Sequence, residues 1–453
     1  MNAVASPRAA RREVIASWLA RIESRAWEPV DAASLGVFRF AFGALLVIAV
    51  IRYWAKGSIY DAFVVPTHFF PYDGLPFVRP LPGRGMYVVF AALGLASLSL
   101  AVGCRSRTSA AIACALFTYA HACDKSNYLN HYHLISLLLA LAAVLPLGTT
   151  LSIDSRGSPT RARVPAWVLW LVRLQIGVVY FYGGVGKLNS DWLVRAMPLS
   201  IWLAGSGDVP LLGPIFRWRE TAWVMSWLGA AFDLSIPFVL SHKRTRWAGY
   251  ACVLVFHVLT ARLFQIGMFP WVMIGLTPVF FEPSWPRRLL RLPDLTRDAP
   301  VRRMPRWSLR LAVGWALFQV LYPLRSHLFP GDVLWTEESY RFSWRVMLIE
   351  KAGSAEFTAE DPRTGQSRQV RTRAYLTRFQ VKMMSTQPDM IRAFAWMIAD
   401  EAERRGEPRP RVWADVVVTL NGRPPARLVD PNVDLAAEPV RWGPTPWILP
   451  SPR

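Results

Sequence analysis

The chain carries the run LGVFRFAFGALLVIAVIRYW at residues 35–54, where only two arginines interrupt the apolar side chains. A helix that crosses a bilayer needs about 20 mostly apolar residues, so this run predicts a transmembrane helix. Eight further apolar runs follow it along the chain. We therefore expect nine transmembrane helices, over residues 35–54, 86–102, 107–123, 132–147, 166–186, 221–240, 247–263, 266–281 and 307–325.

The composition agrees with a polytopic membrane protein. Hydrophobic residues make up 53% of the 453 residues and charged residues only 18%, against about 25% in a typical soluble domain. The formal net charge of +21 comes from arginines between the apolar runs. Basic cytoplasmic loops explain this charge, and we expect no nucleic-acid partner. The four cysteines show no metal-ligand spacing, so we expect no metal.

The basic residues also predict the orientation of the chain. With a cytoplasmic N-terminus, the segments on that side hold 20 lysines and arginines, and those on the outer side hold 8. Basic loops favour the cytoplasmic side, so the C-terminal part is expected outside. We predict an N-terminal cytoplasmic or interfacial segment at 1–34, a transmembrane domain at 35–328 and an extracytoplasmic domain at 329–453.

The pattern after about residue 330 predicts a small α+β domain. AEFTAEDPRTGQSRQV (355–370) is typical of two strands around a turn, and TQPDMIRAFAWMIADEAERRG (386–406) of a capped amphipathic helix. VWADVVVTLNGRPPARLVD (412–430) is typical of two strands joined by an Asn-Gly turn. The predicted fold class is a polytopic α-helical membrane protein with about nine transmembrane helices and a small C-terminal α+β extramembrane domain.

Several polar residues gather at the predicted outer membrane face. Asp124 and Lys125 lie between the third and fourth apolar runs. His257 and Thr260 lie three residues apart near the end of the seventh run, so they share a helix face. Ionisable groups near a membrane are functional candidates by default. The alternative is that Lys125 is an interfacial lysine whose charged end reaches water.

Two further interpretations stay open at this level. Lys187 and Asp191 follow the fifth run and are interpreted as a structural ion pair at a helix end. Lys125 can serve as a general base if its surroundings exclude water, because desolvation disfavours the ammonium form. A close Asp124 carboxylate would instead favour the ammonium, and the sequence does not decide between the two.

Several ordered segments resemble the vitamin K-dependent γ-carboxylase family, which includes the bacterial horizontally transferred transmembrane proteins. The resemblance runs from about residue 30 to 440. It is carried by SLGVFRFAFGALLV (34–47), DKSNYLNHYHL (124–134), RLQIGVVYFYGGVGKLNSDWL (173–193), LFQIGMFPWVMI (263–274), YRFSWRVMLIEKAGSAEFTAEDPRTG (340–365) and ADVVVTLNGRPPARLVDPNVDLA (414–436).

The resemblance implies a membrane enzyme that uses vitamin K hydroquinone with O2 and CO2. In the family, a lysine deprotonates the quinol, oxygen converts the quinol to an epoxide, and a peptide glutamate is carboxylated. By resemblance Lys125 is the base, and His68, aligned by the RPLP at 79–82, assists epoxidation. The other residues implied at the substrate site are Asn130, His131, His257, Thr260, Gly267, Met268, Phe269, Tyr340, Trp344 and Met347.

The chain also departs from the family. Thr260 stands where the family shows an asparagine, and the predicted outer domain has no cysteine for the disulfide of the animal enzymes. The resemblance therefore implies quinol epoxidation more directly than carboxylation of a peptide. The alternative is a non-catalytic membrane protein of the same fold that binds a quinone or lipid. A transporter would show broken helices with internal symmetry, which this sequence lacks.

The expected partners are membrane lipid, the quinol and a glutamate-containing peptide. The arginine-rich composition and the predicted orientation favour the inner membrane of a bacterium, with the N-terminus in the cytoplasm.

Overall fold

The structure, a computed structural model, describes residues 7–156, 162–210, 213–295, 299–441 and 443–452. The helices of these ranges are α1 (Pro7–Ala26), α2 (Ala33–Ala55), α3 (Ser58–Phe63), α4 (Gly85–Val102), α5 (Ser106–Ala122), α6 (Asn130–Val144), α7 (Ala166–Gly186), α8 (Ser190–Leu193), α9 (Leu199–Ala204), α10 (Gly213–Phe216), α11 (Arg219–Ser241), α12 (Arg246–Leu263), α13 (Phe269–Leu276), α14 (Trp285–Leu289), α15 (Arg306–Leu321), α16 (Val333–Thr336), α17 (Arg378–Met384) and α18 (Pro388–Arg404). The strands are β1 (Pro29–Asp31), β2 (Arg163–Pro165), β3 (Lys351–Glu360), β4 (Ser367–Val370), β5 (Arg411–Leu420) and β6 (Ala426–Arg427).

Each of the nine runs predicted to cross the membrane forms a helix, but nine spans are not shown. Among the described helices, four are long and apolar enough to cross a bilayer: α2, α4, α7 and α11. Helix α6 and the segment Phe269–Phe280 are apolar but shorter. Helices α5 and α15 have 17 and 16 residues, fewer than the roughly 20 that a span perpendicular to the membrane needs.

A close approach of two helices organises the N-terminal half. Gly43 of α2 lies against α4, where a Cβ atom on Gly43 would stand 2.6 Å from the backbone nitrogen of Ala101. One turn away, the buried Arg39 guanidinium donates hydrogen bonds of 2.5 Å to the carbonyl oxygens of Leu100 and Ala101. These bonds satisfy carbonyls at the C-terminal end of α4 that have no partner within the helix.

Helix α7 is the most enclosed of the four long apolar helices, because 67% of its apolar 18-residue stretch is buried. It packs along α11, and a Cβ atom on Gly184 would stand 2.7 Å from the backbone nitrogen of Leu234. Small residues allow such backbone contact between membrane helices. This contact brings the C-terminal end of α7 and the middle of α11 together, where the candidate site lies.

The C-terminal part folds as a four-stranded antiparallel sheet, in the order β4-β3-β5-β6, covered by α18. The two predicted hairpins and the predicted helix are present. The turn between β5 and β6 has Asn421 and Gly422 at φ values of 50° and 74°, the left-handed region that an Asn-Gly hairpin turn uses. We call residues 329–452 the outer domain, after the side of the membrane predicted from the sequence, and the residues before them the membrane part.

Each half contributes buried side chains to the hydrophobic core of the other. Phe70, Trp192 and Ala230 of the membrane part are buried in the hydrophobic core of the outer domain. In return, Trp344 of the outer domain is buried in the core of the membrane part. The candidate site therefore lies at an interface that is packed from both sides.

Candidate functional site

The Asp-Lys pair at 124–125 lies at the junction between the two halves. Asp124 caps the short 3-10 helix Lys125–Asn127 by accepting a hydrogen bond of 2.9 Å from the backbone N–H of Ser126. The side-chain amide of Gln380, in α17, donates to Asp124 Oδ2 and to the carbonyl oxygen of His68, at 2.8 Å each. Burial raises the pKa of the Asp124 carboxyl, and the hydrogen bonds from Ser126 and Gln380 offset part of that rise.

The Lys125 side chain is 2% exposed and points toward acidic residues. Its Nζ atom lies 2.9 Å from Asp389 Oδ2, at the start of α18, and 3.7 Å from Asp73 Oδ1. Asp389 also accepts a hydrogen bond of 2.7 Å from Arg341, and Asp73 one of 3.2 Å from Arg392. We call these five residues the junction cluster. Three cations alternate with two carboxylates, so each carboxylate has two cationic neighbours.

The charge of Asp389 predicts how acid affects the junction. Burial alone would raise its pKa, but the Arg341 guanidinium and the Lys125 ammonium outweigh burial and hold the pKa well below its ordinary value. A lowered carboxyl pKa stabilises the folded state above the unfolded pKa of about 3.9, and this contribution is lost as the pH falls toward the folded pKa. We expect the thermal unfolding midpoint of the wild type to exceed that of Asp389→Asn at pH 6. The difference should shrink below about pH 4. A difference that stays constant down to pH 3 would contradict this assignment.

An apolar cavity of about 520 Å³, which we call the main cavity, lies between α7, α11 and α12. Its walls are mostly aliphatic and aromatic. The polar side chains among them are few and include Lys187, Asp233, His257 and Thr260. Ligand sites commonly combine a largely apolar wall with a few polar groups that orient the ligand. Lys125 and His68 line neither this cavity nor the second cavity described below.

Lys187 and Asp233 form a buried ion pair in the wall of the main cavity. Lys187 follows the last residue of α7, and Asp233 lies in the middle of α11. The distance between Lys187 Nζ and Asp233 Oδ2 is 2.6 Å. Lys187 Nζ also donates a hydrogen bond of 3.1 Å to the carbonyl oxygen of Gly183. The expected pairing of Lys187 with Asp191 is wrong, because the two side chains have other partners. Asp191 instead accepts hydrogen bonds of 2.7 and 2.9 Å from Arg423 of the outer domain.

His257 lies in the wall of the same cavity, and its ring is held by Tyr180. Its Nε2 atom lies 2.9 Å from the hydroxyl of Tyr180. Its Nδ1 atom is buried and has no hydrogen-bond partner among the residues that the structure describes. Phe269 lies edge-on to the ring, with centroids 5.8 Å apart. Thr260 donates a hydrogen bond of 3.1 Å to the carbonyl oxygen of His257.

A second cavity of about 280 Å³ lies beside the main cavity, and Ile266 lines both. His131, Gly267 and Met268 line the second cavity, together with Arg52 and Lys56. No acidic residue belongs to the described lining. The second cavity therefore has a positive lining, whereas the charged side chains in the main cavity wall are paired.

The segment Glu337–Met347, which we call the strap, connects the junction to the main cavity. Val346 and Met347 line the main cavity. The carbonyl oxygen of Arg345 accepts hydrogen bonds from the Asn130 amide at 2.9 Å and from the Tyr340 hydroxyl at 3.0 Å. Trp344 is buried and stacks on His133. The predicted residues of this segment thus lie near the site, although only Met347 among them faces the cavity.

The residues predicted from the sequence fall into three neighbouring groups. His257, Thr260, Phe269 and Met347 line the main cavity, and His131, Gly267 and Met268 line the second cavity. Lys125, His68, Asn130, Tyr340 and Trp344 lie at the junction or in the strap. His68 is half-buried, with its Nδ1 atom 3.0 Å from the Thr67 hydroxyl and its ring edge-on to Tyr375.

The sequence did not predict the pairing of Lys187 with Asp233, and Asp233 was not among the candidate residues. A signal was present, because Asp233 interrupts the apolar run 221–240, and an acidic residue inside such a run is a functional candidate. Within the described residues, no group of three or more histidine, cysteine or acidic side chains is arranged to hold a metal ion.

Comparison with known families gives two matches. The model of the HTTM domain matches residues 27–285, and that of the lumenal domain of vitamin K-dependent gamma-carboxylase matches residues 305–453. No solved structure matches the chain. The first match lies within the membrane part, and the second covers α15 of the membrane part as well as the outer domain.

Proposed function

Since the chain belongs to the vitamin K-dependent gamma-carboxylase family, we propose that it is a membrane enzyme that oxidises vitamin K hydroquinone, or a related quinol, to an epoxide with O2. Membership of the family indicates a carboxylase-like function that depends on vitamin K. The observation that carries the finer proposal is the Lys187–Asp233 ion pair in the wall of an otherwise apolar cavity.

The main cavity fits an aromatic quinol in size and chemistry. Its volume of about 520 Å³ lies in the usual range for small-molecule sites. The flat walls include Phe232, Phe264 and Phe269, which can pack against an aromatic ring. The quinol supplies the hydroxyl groups and the electrons that reduce oxygen, and the chain binds the ring and receives the proton.

Lys187 and Asp233 can receive that proton together. Nζ takes a proton from a ligand hydroxyl while it passes one of its own to Asp233 Oδ2, 2.6 Å away. The ammonium that remains stabilises the negative charge left in the cavity, and such charge stabilisation is stronger where water is excluded. The hydrogen bond with Tyr180 fixes the His257 ring in the cavity wall.

The cavity lining favours Lys187 over Lys125 as the proton acceptor. Lys187 borders the main cavity, whereas Lys125 borders neither cavity. The roles of Lys125 and His68 implied by the resemblance stay predictions. The variants Lys187→Met and Lys125→Met, described below, test which lysine accepts the proton.

Carboxylation of a glutamate side chain by CO2 is the second half of the proposal. The second cavity supports this carboxylation, because Arg52 and Lys56 can bind a carboxylate there. The two cavities adjoin at Ile266, which lines both. The proposed partner is therefore a glutamate-containing peptide.

We further propose that the protein resides in the inner membrane of a bacterium, with the N-terminus in the cytoplasm and the outer domain outside. The HTTM match and the four long apolar helices support association with a membrane. The distribution of lysines and arginines supports the orientation.

The alternative is a non-catalytic protein of the same fold that binds a quinone or lipid in the main cavity. Its support is that Lys187 and Asp233 neutralise each other, so the cavity can hold an apolar ligand without any proton transfer.

One experiment separates the two functions. The full-length protein in detergent receives vitamin K hydroquinone, oxygen and labelled bicarbonate, with and without a glutamate peptide, and the products are measured by chromatography. We expect epoxide in every reaction that contains oxygen, and label in the peptide if carboxylation is coupled. A preparation that binds vitamin K but forms no epoxide would establish the binding protein instead.

A further inference from the structure

A further cavity lies apart from the proposed reaction site. Its volume is about 360 Å³, and it shares no lining residue with the main cavity or the second cavity. The charged residues of its described lining are Arg105, Arg107, Arg302 and Asp154. We call it the arginine cavity. Three cations thus border one space together with a single carboxylate.

Three separate segments of the chain form the arginine cavity. Residues 105–108 lie at the start of α5, residues 146–155 follow α6, and Arg302 precedes α15. These are ends of helices that the sequence predicts to cross the membrane, on the side predicted to face the cytoplasm. We therefore expect the arginine cavity at the depth of the lipid headgroups of the cytoplasmic leaflet.

The three guanidinium groups of the arginine cavity lack a counter-charge. None of them has a hydrogen-bond or ion-pair partner among the residues that the structure describes. The like charges of Arg107 and Arg302 also repel each other. Because such repulsion destabilises the folded chain, an anion bound between these arginines would relieve an unfavourable interaction as well as add favourable ones.

Asp154 does not act as that counter-charge, because its oxygens have other partners. Oδ1 accepts a hydrogen bond of 2.7 Å from the backbone N–H of Arg105. Oδ2 accepts two hydrogen bonds of 2.8 Å, from the backbone N–H and the hydroxyl of Ser106. The carboxylate thereby satisfies donors at the N-terminal end of α5 and fixes the backbone that carries Arg105 and Arg107.

The lining of the arginine cavity suits a phosphate group. A guanidinium group presents paired N–H donors that match the oxygens of a phosphate, and Thr108 adds a hydroxyl group to the lining. The volume of about 360 Å³ lies in the usual range for small-molecule sites. The cavity can therefore hold a phosphate together with the organic group that carries it.

We propose that the arginine cavity is a binding site for a phosphate group on the cytoplasmic side of the protein. The phosphate can belong to an anionic phospholipid of the cytoplasmic leaflet or be a free anion, because both present the same charged oxygens. The site shares no residue with the proposed reaction, so phosphate binding here is independent of quinol oxidation.

The test measures the binding of two probes to the full-length protein in a neutral detergent. Phosphatidylglycerol in detergent micelles represents the lipid, and inorganic phosphate represents the free anion. The thermal unfolding midpoint is followed for each probe, with chloride at the same ionic strength as the reference, and bound phosphatidylglycerol is counted by native mass spectrometry. We expect a rise in the wild-type midpoint. A rise with phosphatidylglycerol alone identifies the lipid as the source, and a rise with inorganic phosphate identifies the free anion.

A double variant and a matched control locate the binding. Arg107→Gln combined with Arg302→Gln should weaken binding of the effective probe by about tenfold or more, because charge-assisted hydrogen bonds are lost. Without a probe, this double variant should unfold at the wild-type midpoint or above it, since the repulsion between the two cations is removed. Arg288→Gln removes an exposed cation that lines none of the three cavities and should bind the probe as the wild type does.

Three results would overturn the proposal. The first is that neither probe raises the wild-type midpoint above the chloride reference. The second is that the double variant and Arg288→Gln bind the probe equally, which would indicate a general attraction of anions to a basic surface. The third is a probe-free midpoint of the double variant well below that of the wild type, which would show that the arginines stabilise the chain through internal contacts.

Discussion

Replacing Lys187 with methionine is expected to lower the rate of epoxide formation by roughly 10²–10⁴-fold, the usual contribution of a positioned general base. Methionine retains much of the apolar stem of lysine, so vitamin K quinone should still bind in the main cavity. It cannot hold the proton that Nζ exchanges with Asp233 across 2.6 Å. Epoxide is measured by chromatography under the conditions that give full turnover in the wild type.

The control for this prediction is a second buried ion pair. Arg287 lies 2.6 Å from Asp31, with both side chains 10% exposed, and neither residue lines the main cavity or the second cavity. Arg287→Met should reduce stability but leave kcat of the folded protein unchanged. Normal turnover in Lys187→Met, together with its loss in Lys125→Met, would show that Lys125 is the base.

The largest expected effect on stability comes from Gly43→Ala. The added methyl group would lie 2.6–2.8 Å from the backbone nitrogen, Cα and Cβ of Ala101, so α2 and α4 would have to separate. Forcing additional atoms into a packed core commonly costs about 1–3 kcal/mol. We expect a clear fall in the thermal unfolding midpoint, measured in detergent.

Gly314 provides the matched control, because it lies in α15 with nothing within 4 Å of the position a Cβ atom would take. Alanine is favoured over glycine inside a helix by roughly 0.5–1 kcal/mol, so Gly314→Ala should keep or raise the midpoint. Equal midpoints for the two alanine variants would refute the close contact between α2 and α4.

Local patterns predicted most of the helices and strands. The apolar run at 35–54 became α2, and the Asn-Gly pair at 421–422 became the turn between β5 and β6. These features depend on residues that are neighbours in the sequence, which is why they are visible there. The number of spans was less predictable, since helix length depends on where each helix ends in the folded protein.

The partners of the charged residues could not be predicted in the same way. Asp124 precedes Lys125 in the chain, yet its carboxylate contacts Ser126 and Gln380, and Lys125 contacts Asp389 of the outer domain. Lys187 similarly pairs with Asp233 on another helix. The segments that resemble the family indicated the region of the site, but only the folded arrangement distinguishes the lysine in the cavity wall from the lysine in the junction.

The exchange of core side chains between the two halves has a consequence for biogenesis. The outer domain is translated after the membrane part, and its core is completed by Phe70 and Trp192, which come from segments made earlier. This domain therefore folds against a surface of the membrane part to which it is covalently linked. The link makes the contact intramolecular, so the two halves meet at a high effective concentration. By the same logic, we expect the outer domain released alone to expose an incomplete core, and we expect the two halves to unfold together.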